Sequence, residues 1–373
     1  MGRCGPDPAR PAGPRRAPSD RRRRVLAHPA RRHRARLRRR HRRRAGSAAV
    51  PALPRHGESF LSWARSLRAA VEQRRAELPH WRRIAEAAAE PLTDKPRDPA
   101  RDTAATAVHH EMRLEPDVTR TLLTALPAAY RTTPDTVLLT ALATAVGDWR
   151  GGRPRLLVTL ESHGRPPHTP DRARPVDLSQ TVGWFTAAYP ALVEPPGDAG
   201  LPEALKAVKE QLGAHGDGLG HGVLAAAGEL GDAPEPEISW NYLGRFPAAP
   251  GAETAWQPPP DAQPLGSVAG DDLPLPHSLM INALARDDGS GGDGGVLGIR
   301  FTWPAALFTE AQIAALADRL RRALARLADP AVLAAAGLTP PTCRWSAWTR
   351  PRSTPSNAAT GSPTCCRCPR CSS

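Results

Sequence analysis

The sequence of 373 residues predicts an α/β fold, in which helices pack in layers against a mixed β-sheet. In the central part of the chain, apolar residues recur at helical spacing in some segments and form short strand-like runs in others. These two kinds of segment are interleaved, and turns rich in Gly, Pro and Asp separate them. No internal repeat is present, so a layered lobe is expected rather than a repeat array.

Two helices are predicted first, over Phe60–Val71 and Glu77–Ala89, because apolar residues return every three or four positions. The charged, Pro-rich stretch Pro91–Pro99 then predicts a linker. Val108–Leu114 alternates as a strand does, and a helix follows from Pro116 to Leu126.

The remaining elements follow the same rules. Asp135 is predicted to cap the most apolar helix, Thr136–Trp149. Strands are predicted at Leu156–Leu160, Phe185–Val193, Glu237–Tyr242, Ser278–Leu284 and Val296–Trp303, and further helices at Pro202–Leu212 and Glu310–Leu327.

The formal net charge of +14 comes from the ends of the chain. Residues 1–50 hold 18 Arg and 2 Asp, whereas residues 51–340 hold 28 basic and 35 acidic side chains. The Arg-rich arm has no aromatic residue for base stacking and precedes no nucleic-acid module, so we expect no nucleic-acid partner. No apolar run is long enough for a membrane span, and we expect a cytoplasmic protein without metal, whose cysteines lie outside its central part.

Four short blocks occur between the strands. They are Leu160–Arg165 (L-E-S-H-G-R), Gln180–Pro190 (Q-T-V-G-W-F-T-A-A-Y-P), Gly216–Gly222 (G-D-G-L-G-H-G) and Ile238–Phe246 (I-S-W-N-Y-L-G-R-F). In this order and at this spacing, they resemble the epimerization domain of nonribosomal peptide synthetases, a branch of the condensation-domain superfamily. The resemblance covers about residues 51–336.

The resemblance implies a chloramphenicol-acetyltransferase-like condensation-domain fold, with two lobes that meet at the active site. We expect the C-terminal lobe, residues 107–336, to be mostly complete. We expect the N-terminal lobe to be largely missing, with residues 51–106 as its remaining helices and linker. The Arg-rich segment 1–50 and the tail 337–373 are predicted to be disordered.

Both ends have the composition of a GC-rich gene translated in the wrong frame. A one-base shift across Ala17–Arg44 permits a reading that begins His-His-Leu-Ile-Val-Asp-Val, close to the family's histidine motif H-H-x-x-x-D-G. A two-base shift of the tail permits a reading similar to the start of a following condensation-type domain. The motif is absent from the sequence itself, since His109-His110 lacks the Asp-Gly that should follow and lies on a predicted strand.

Glu161 follows an apolar strand, which places a carboxylate at the end of that strand. In the epimerization family, the matching Glu is the acid/base partner of the second histidine. Asn241 and Tyr242 end another apolar strand, where an amide and a phenol can donate hydrogen bonds to an enolate-like oxygen. We therefore predict Glu161 and Tyr242 as catalytic residues and Asn241 as a substrate-binding residue.

Three further side chains are predicted to bind substrate or to shape its loop: His163, Arg165 and Trp184. We expect His163 to orient the loop by hydrogen bonding. Ser162 and Pro166 depart from the Gly and Glu that the family usually has in this block. Gly218 and its neighbours predict a tight turn rather than a phosphate cradle, because the context of a nucleotide site is missing.

These patterns predict a fragment of an epimerization domain, which converts the L to the D configuration at Cα of an aminoacyl or peptidyl thioester. The substrate would be carried on the phosphopantetheine of a carrier domain, and no cofactor would be bound directly. Expected partners are that carrier domain and adjacent synthetase modules. Without the histidine motif, we expect the chain as written to be inactive. The alternatives are a peptide-bond-forming condensation domain and a non-catalytic remnant that docks a carrier domain.

Overall fold

A computed structural model describes residues 57–87, 91–169, 175–197, 200–231, 235–246, 270–287 and 295–337. The predictions for residues 1–50 and for nearly all of the tail lie outside the described residues, as do the predicted histidine reading and all six cysteines.

The helices and strands are numbered here in chain order. The α-helices are α1 (Phe60–Ala69), α2 (Val71–Arg74), α3 (Leu78–Glu86), α4 (Pro116–Arg120), α5 (Leu126–Tyr130), α6 (Pro134–Arg150), α7 (Leu201–Gly213), α8 (Leu219–Ala226), α9 (Glu310–Leu327) and α10 (Pro330–Ala334). The strands are β1 (Ala107–Leu114), β2 (Leu156–Ser162), β3 (Ala187–Val193), β4 (Ile238–Phe246), β5 (Leu279–Asp287) and β6 (Gly295–Pro304).

The six strands form one sheet in the order β1-β6-β5-β4-β2-β3. Strand β4 runs parallel to both β2 and β5, while the other three pairings are antiparallel. The predicted α/β class and mixed sheet are therefore confirmed. The two parallel pairings at the centre bring the carboxyl ends of β2, β4 and β5 to the same edge of the sheet.

One face of the sheet is almost wholly apolar and packs against α6 and α9; we call it the apolar face. Its strand residues alternate with those of the other face, since successive side chains of a strand point to opposite sides. Leu160, Trp240 and Ile281 are representative, being 7%, 2% and 1% exposed. Together with both helices, this face forms the largest hydrophobic cluster of the described chain.

The opposite face, which we call the polar face, is covered differently at its two ends. Over β2 and β3, helix α3 and helix α8 form a small apolar cluster around Trp81, Ile84 and Leu224, against which Leu157 and Leu192 pack. Towards β1 the same face carries polar side chains, of which Glu111 and Arg300 are exposed and form an ion pair. Helices α3 and α8 thus cover one half of this face.

Two details of the helices differ from the sequence predictions. Asp135 does not cap α6, because Thr133 does so by accepting a hydrogen bond from the Thr136 amide, and Asp135 is the second helical residue. The helix from Pro116 does not end at Leu126. It passes through a π-helical turn, Thr121–Ala125, and continues as α5, which accommodates the missing amide hydrogen of Pro127.

Candidate functional site

The structure brings Glu161 and Asn241 together at the carboxyl edge of the sheet. The parallel register pairs Leu160 with Trp240, so the next residues, Glu161 and Asn241, are neighbours on the polar face. The Asn241 side chain donates a hydrogen bond of 3.3 Å from Nδ2 to Glu161 Oε2. Both side chains are half-buried. The amide thus holds the carboxylate at the end of its strand while leaving it partly accessible.

Tyr242 does not join this pair. As the next residue along β4, it lies on the apolar face and packs at the edge of the main core. Burial raises the pKa of its phenol, and the nearby carboxylate of Asp135 raises it further. The site thus contains the predicted Asn241 next to Glu161, whereas Tyr242 lies towards the start of α6.

Asp135 is a half-buried acid that sequence analysis assigned only to capping. Its Oδ1 accepts a hydrogen bond of 3.0 Å from Trp240 Nε1. Burial raises the pKa of the Asp135 carboxyl, and the bond from Trp240 opposes this in part. Asp135 therefore ties the start of α6 to the strand that carries Asn241.

The loop after β2 is held by its own side chains. His163 is exposed, and its Nδ1 lies 2.9 Å from the backbone nitrogen of Arg165. The Arg165 guanidinium binds the carbonyl oxygens of Leu178 and Thr181 and lies 3.8 Å from the centre of the Phe185 ring. Arg165 thus joins the first motif block to the second in this structure, rather than lying free for a ligand.

Trp184 lies in an exposed part of the second block, with 43% of its surface accessible. Three other large apolar side chains are similarly exposed in this region, namely Phe60, Leu61 and Val182. The Phe60 ring meets the ring of Phe185 edge to face at 5.1 Å and lies directly against Gly183. Trp184 thus presents much of its side chain to solvent.

The third motif block, Gly216–Gly222, is the point where the N-terminal helices α1–α3 meet the sheet; we call it the glycine loop. Gly218 has a φ of +72°, and a Cβ there would lie 2.2 Å from the Tyr189 ring. A Cβ at Gly220 would overlap the Glu77 carboxylate at 1.8 Å. The predicted tight turn is found at Gly218 and the predicted close approach at Gly220, whereas a Cβ at Gly222 would meet open space. The loop prediction was wrong from Leu219 onwards, because helix α8 begins there.

An ion-pair network around the buried Arg74 lies beneath this loop. Arg74, only 3% exposed, binds both carboxylate oxygens of Asp217 at 2.9 and 2.7 Å and also Glu77 at 2.7 Å. The Ser162 hydroxyl donates a 3.3 Å hydrogen bond to the backbone oxygen of Asp217. Because Ser162 follows Glu161, the network links the N-terminal helices to the residue beside the candidate acid/base group.

Two imidazoles pack in the same interface. The rings of His80 and His215 lie 4.9 Å apart, and the Nε2 atom of each is buried without a hydrogen-bond partner in the described structure. Burial lowers the pKa of His215 to about 4, helped by the neighbouring His80. Burial also lowers the pKa of His80, so both imidazoles are neutral near pH 7, and charging either would oppose the packing of α3.

The His109-His110 pair lies on β1, at the far edge of the sheet from Glu161. The Nδ1 atom of His109 lies 2.9 Å from the Thr302 hydroxyl of β6, and burial lowers the pKa of this imidazole. The predicted strand is observed, and both histidines lie within the antiparallel ladder that β1 forms with β6.

The ion pair of Arg74 with Asp217 was not predicted, because the sequence of an amphipathic helix does not distinguish a buried Arg from an exposed one. The helical spacing of Trp63, Ala70 and Arg74 was a weak signal, since it places Arg74 on the buried side of its helices.

Within the described ranges, no group of three or more metal-ligating side chains is found. None of the described helices is long and apolar enough to cross a membrane.

Comparisons with known proteins agree on the family. The condensation-domain family matches residues 47–334. A linear gramicidin synthase protein of Brevibacillus parabrevis is 32% identical over 289 residues, which are 74% of this chain and 5% of that protein. Chondramide synthase cmdD of Chondromyces crocatus is 34% identical over 259 residues, 66% of this chain and 6% of that protein.

The chain therefore spans a small part of the synthetases that it matches. Among solved structures, the epimerization domain from the third module of tyrocidine synthetase B is similar, with a TM-score of 0.63 and 25% identity. The match covers 78% of this chain and 63% of that one. The X-domain from teicoplanin biosynthesis shares the fold, with a TM-score of 0.53, 19% identity, and coverage of 77% and 62%. The chain belongs to the condensation-domain family of nonribosomal peptide synthetases.

Proposed function

We propose that this chain is part of an epimerization domain, which inverts Cα of an aminoacyl or peptidyl thioester carried on phosphopantetheine. The observation that carries this proposal is the Glu161 carboxylate, held by Asn241 at the carboxyl edge of the sheet on its polar face. The similarity to a solved epimerization domain, together with the four motif blocks, supports it. The partners would be a carrier domain and the adjacent synthetase modules.

Inversion requires a proton to leave Cα on one side and to return on the other. Glu161 would serve one side, and a positioned acid or base of this kind contributes about 10² to 10⁴ in rate. Asn241 has two amide hydrogens, of which one binds Glu161. The second would bind the thioester oxygen as negative charge develops on it.

The other predicted residues lie around Glu161 and Asn241 in different settings and would have different roles. We assign Tyr242 no contact with the substrate, because its side chain lies on the apolar face and packs at the edge of the main core. His163 and Arg165 would hold the loop that borders the substrate, given their contacts within the chain. Trp184, which is exposed, would contact substrate or carrier domain at the outer end of the site.

Activity would need a second acid/base group. The one-base shift described above supplies a histidine pair upstream of Pro54, and we propose that this pair completes the site. The polypeptide as written is then expected to form no D-isomer, since one of its two proton-transfer groups is absent.

The test begins with a carrier domain loaded with an L-aminoacyl or L-peptidyl group. It is mixed with the chain as written or with a protein in which the histidine reading is restored, and D-isomer is measured by chiral chromatography. We expect D-isomer only from the restored protein. Peptide-bond formation with a second loaded carrier, without D-isomer, would instead favour a condensation domain.

A further inference from the structure

A polar row crosses five strands of the polar face. It starts with Glu161 on β2 and continues through the residues paired in register on β4, β5, β6 and β1, which are Asn241, Asn282, Arg300 and Glu111. Four of these five side chains are paired within the row, since Asn241 binds Glu161 and Arg300 binds Glu111. Asn282 lies between the two pairs.

Asn282 is half-buried, and its side chain has no hydrogen-bond partner among the described residues. An amide side chain can make up to four hydrogen bonds, and leaving them unmade in a partly buried place is unfavourable. Its neighbours Ile281 and Ala283 are fully buried on the apolar face, so the strand cannot turn Asn282 elsewhere without losing core packing. The fold thus holds a free amide on the face that carries Glu161.

The spacing of the strands relates Asn282 to the reacting carbon. Adjacent strands lie roughly 4.8 Å apart, so two strand spacings place Asn282 about 10 Å from Glu161 along the row. An extended peptide advances about 3.3–3.6 Å per residue. When the residues upstream of a reacting Cα over Glu161 run along the row towards β6, a peptide group roughly three residues upstream lies over Asn282.

We propose that Asn282 is a substrate-positioning residue that hydrogen-bonds the peptide backbone upstream of the reacting residue. The site would then favour a peptidyl thioester of at least three residues over an aminoacyl thioester. This inference rests on the proposed function, because it takes Glu161 as the point where the reacting Cα lies. A primary amide suits this role, since it can donate to a peptide C=O and accept from a peptide N–H.

The test measures binding of two stable analogues to the full chain by NMR titration, which reaches millimolar Kd values. One analogue is an aminoacyl pantetheine amide, and the other is an N-acetylated tripeptidyl pantetheine amide. We expect the tripeptidyl analogue to bind more tightly to the unaltered chain. Asn282→Ala is expected to weaken tripeptidyl binding about 3- to 10-fold and to leave aminoacyl binding unchanged.

Two variants guard against a purely structural effect. Met280→Leu changes the same strand on the same face and is expected to alter neither affinity. Asn282→Asp keeps the shape and loses the donor, so an intermediate affinity is expected if the fold is retained, as judged by the thermal melting curve. If Asn282→Ala weakened the binding of both analogues equally, or of neither, the role of Asn282 would be overturned, while the proposed function would be unaffected. Failure of the unaltered chain to bind either analogue would contradict the proposed function as well.

Discussion

The two faces of the sheet have different tasks, although their residues alternate along the same strands. The apolar face packs against α6 and α9 and includes side chains that are almost completely buried, such as Trp240 and Ile281. The polar face carries Glu161, Asn241 and Asn282 within the same strands. Stability therefore comes mainly from one face, and the chemistry that we propose comes from the other.

Two neighbouring residues of one motif block lie on different faces of the sheet. Asn241 and Tyr242 are adjacent in sequence, but the pleat of the strand sends their side chains to opposite sides. Asn241 holds Glu161, while Tyr242 lies near Asp135 at the start of α6. A motif read as one functional unit thus divides between the two faces.

The largest expected loss of stability comes from the buried ion pair that holds the N-terminal helices on the polar face. Arg74→Met removes a buried guanidinium and leaves the half-buried carboxylates of Asp217 and Glu77 without their shared cation, so the free energy of unfolding should fall by about 3–5 kcal/mol. Urea denaturation measures this change. Arg75→Met is the matched control, because Arg75 is 49% exposed in its ion pair with Glu229 and its loss should lower the free energy of unfolding much less. Equal losses in the two variants would contradict the buried role of Arg74.

The contrast between the faces can be tested within β5. Ile281→Ala opens a cavity in the main core and is expected to lower the free energy of unfolding by about 2–5 kcal/mol. Asn282→Ala, one residue further and on the polar face, should lower it by less than about 1 kcal/mol. Both are measured by the same denaturant titration. A larger loss for Asn282→Ala would mean that the polar face, and not the apolar face, stabilises this strand.

A smaller effect is expected from acid. The pKa of His215 is about 4 in the folded chain and about 6.5 when unfolded, so below pH 6.5 the unfolded state takes up the proton first. The stability due to this group is complete above pH 6.5 and falls by up to about 3 kcal/mol towards pH 4. His80 and Arg83 face the ring and add to the cost of charging it.

The corresponding measurement compares melting temperatures of the unaltered chain and His215→Phe between pH 7 and pH 4. We expect the melting temperature of the unaltered chain to fall more than that of His215→Phe as the pH is lowered. The phenyl ring keeps the packing of the imidazole but binds no proton. Parallel pH profiles would show that His215 does not titrate in this window.

Much of this fold could be predicted from the sequence, because strands and helices have distinct apolar periods. Glu161 and Asn241 were also predictable as site residues from their motif blocks and from their positions at strand ends. Their hydrogen bond was not, because it depends on the parallel register of β2 and β4, which the sequence does not state. Arg74 was missed because its partner Asp217 is 143 residues away in sequence. Asn282 was missed because its place in the polar row depends on how β5 pairs with β4 and β6.

The most direct test of the central claim is the exchange of the substrate Cα proton with deuterated solvent. It is measured by mass spectrometry on a carrier-bound L-peptidyl group, in the protein with the histidine reading restored. Glu161→Gln keeps the side-chain shape and should reduce the exchange rate by about 10² to 10⁴ without unfolding the lobe. Glu111→Gln, at the other end of the polar row, should leave the rate unchanged. Exchange at the unaltered rate in Glu161→Gln would remove this carboxylate from the mechanism and contradict the account.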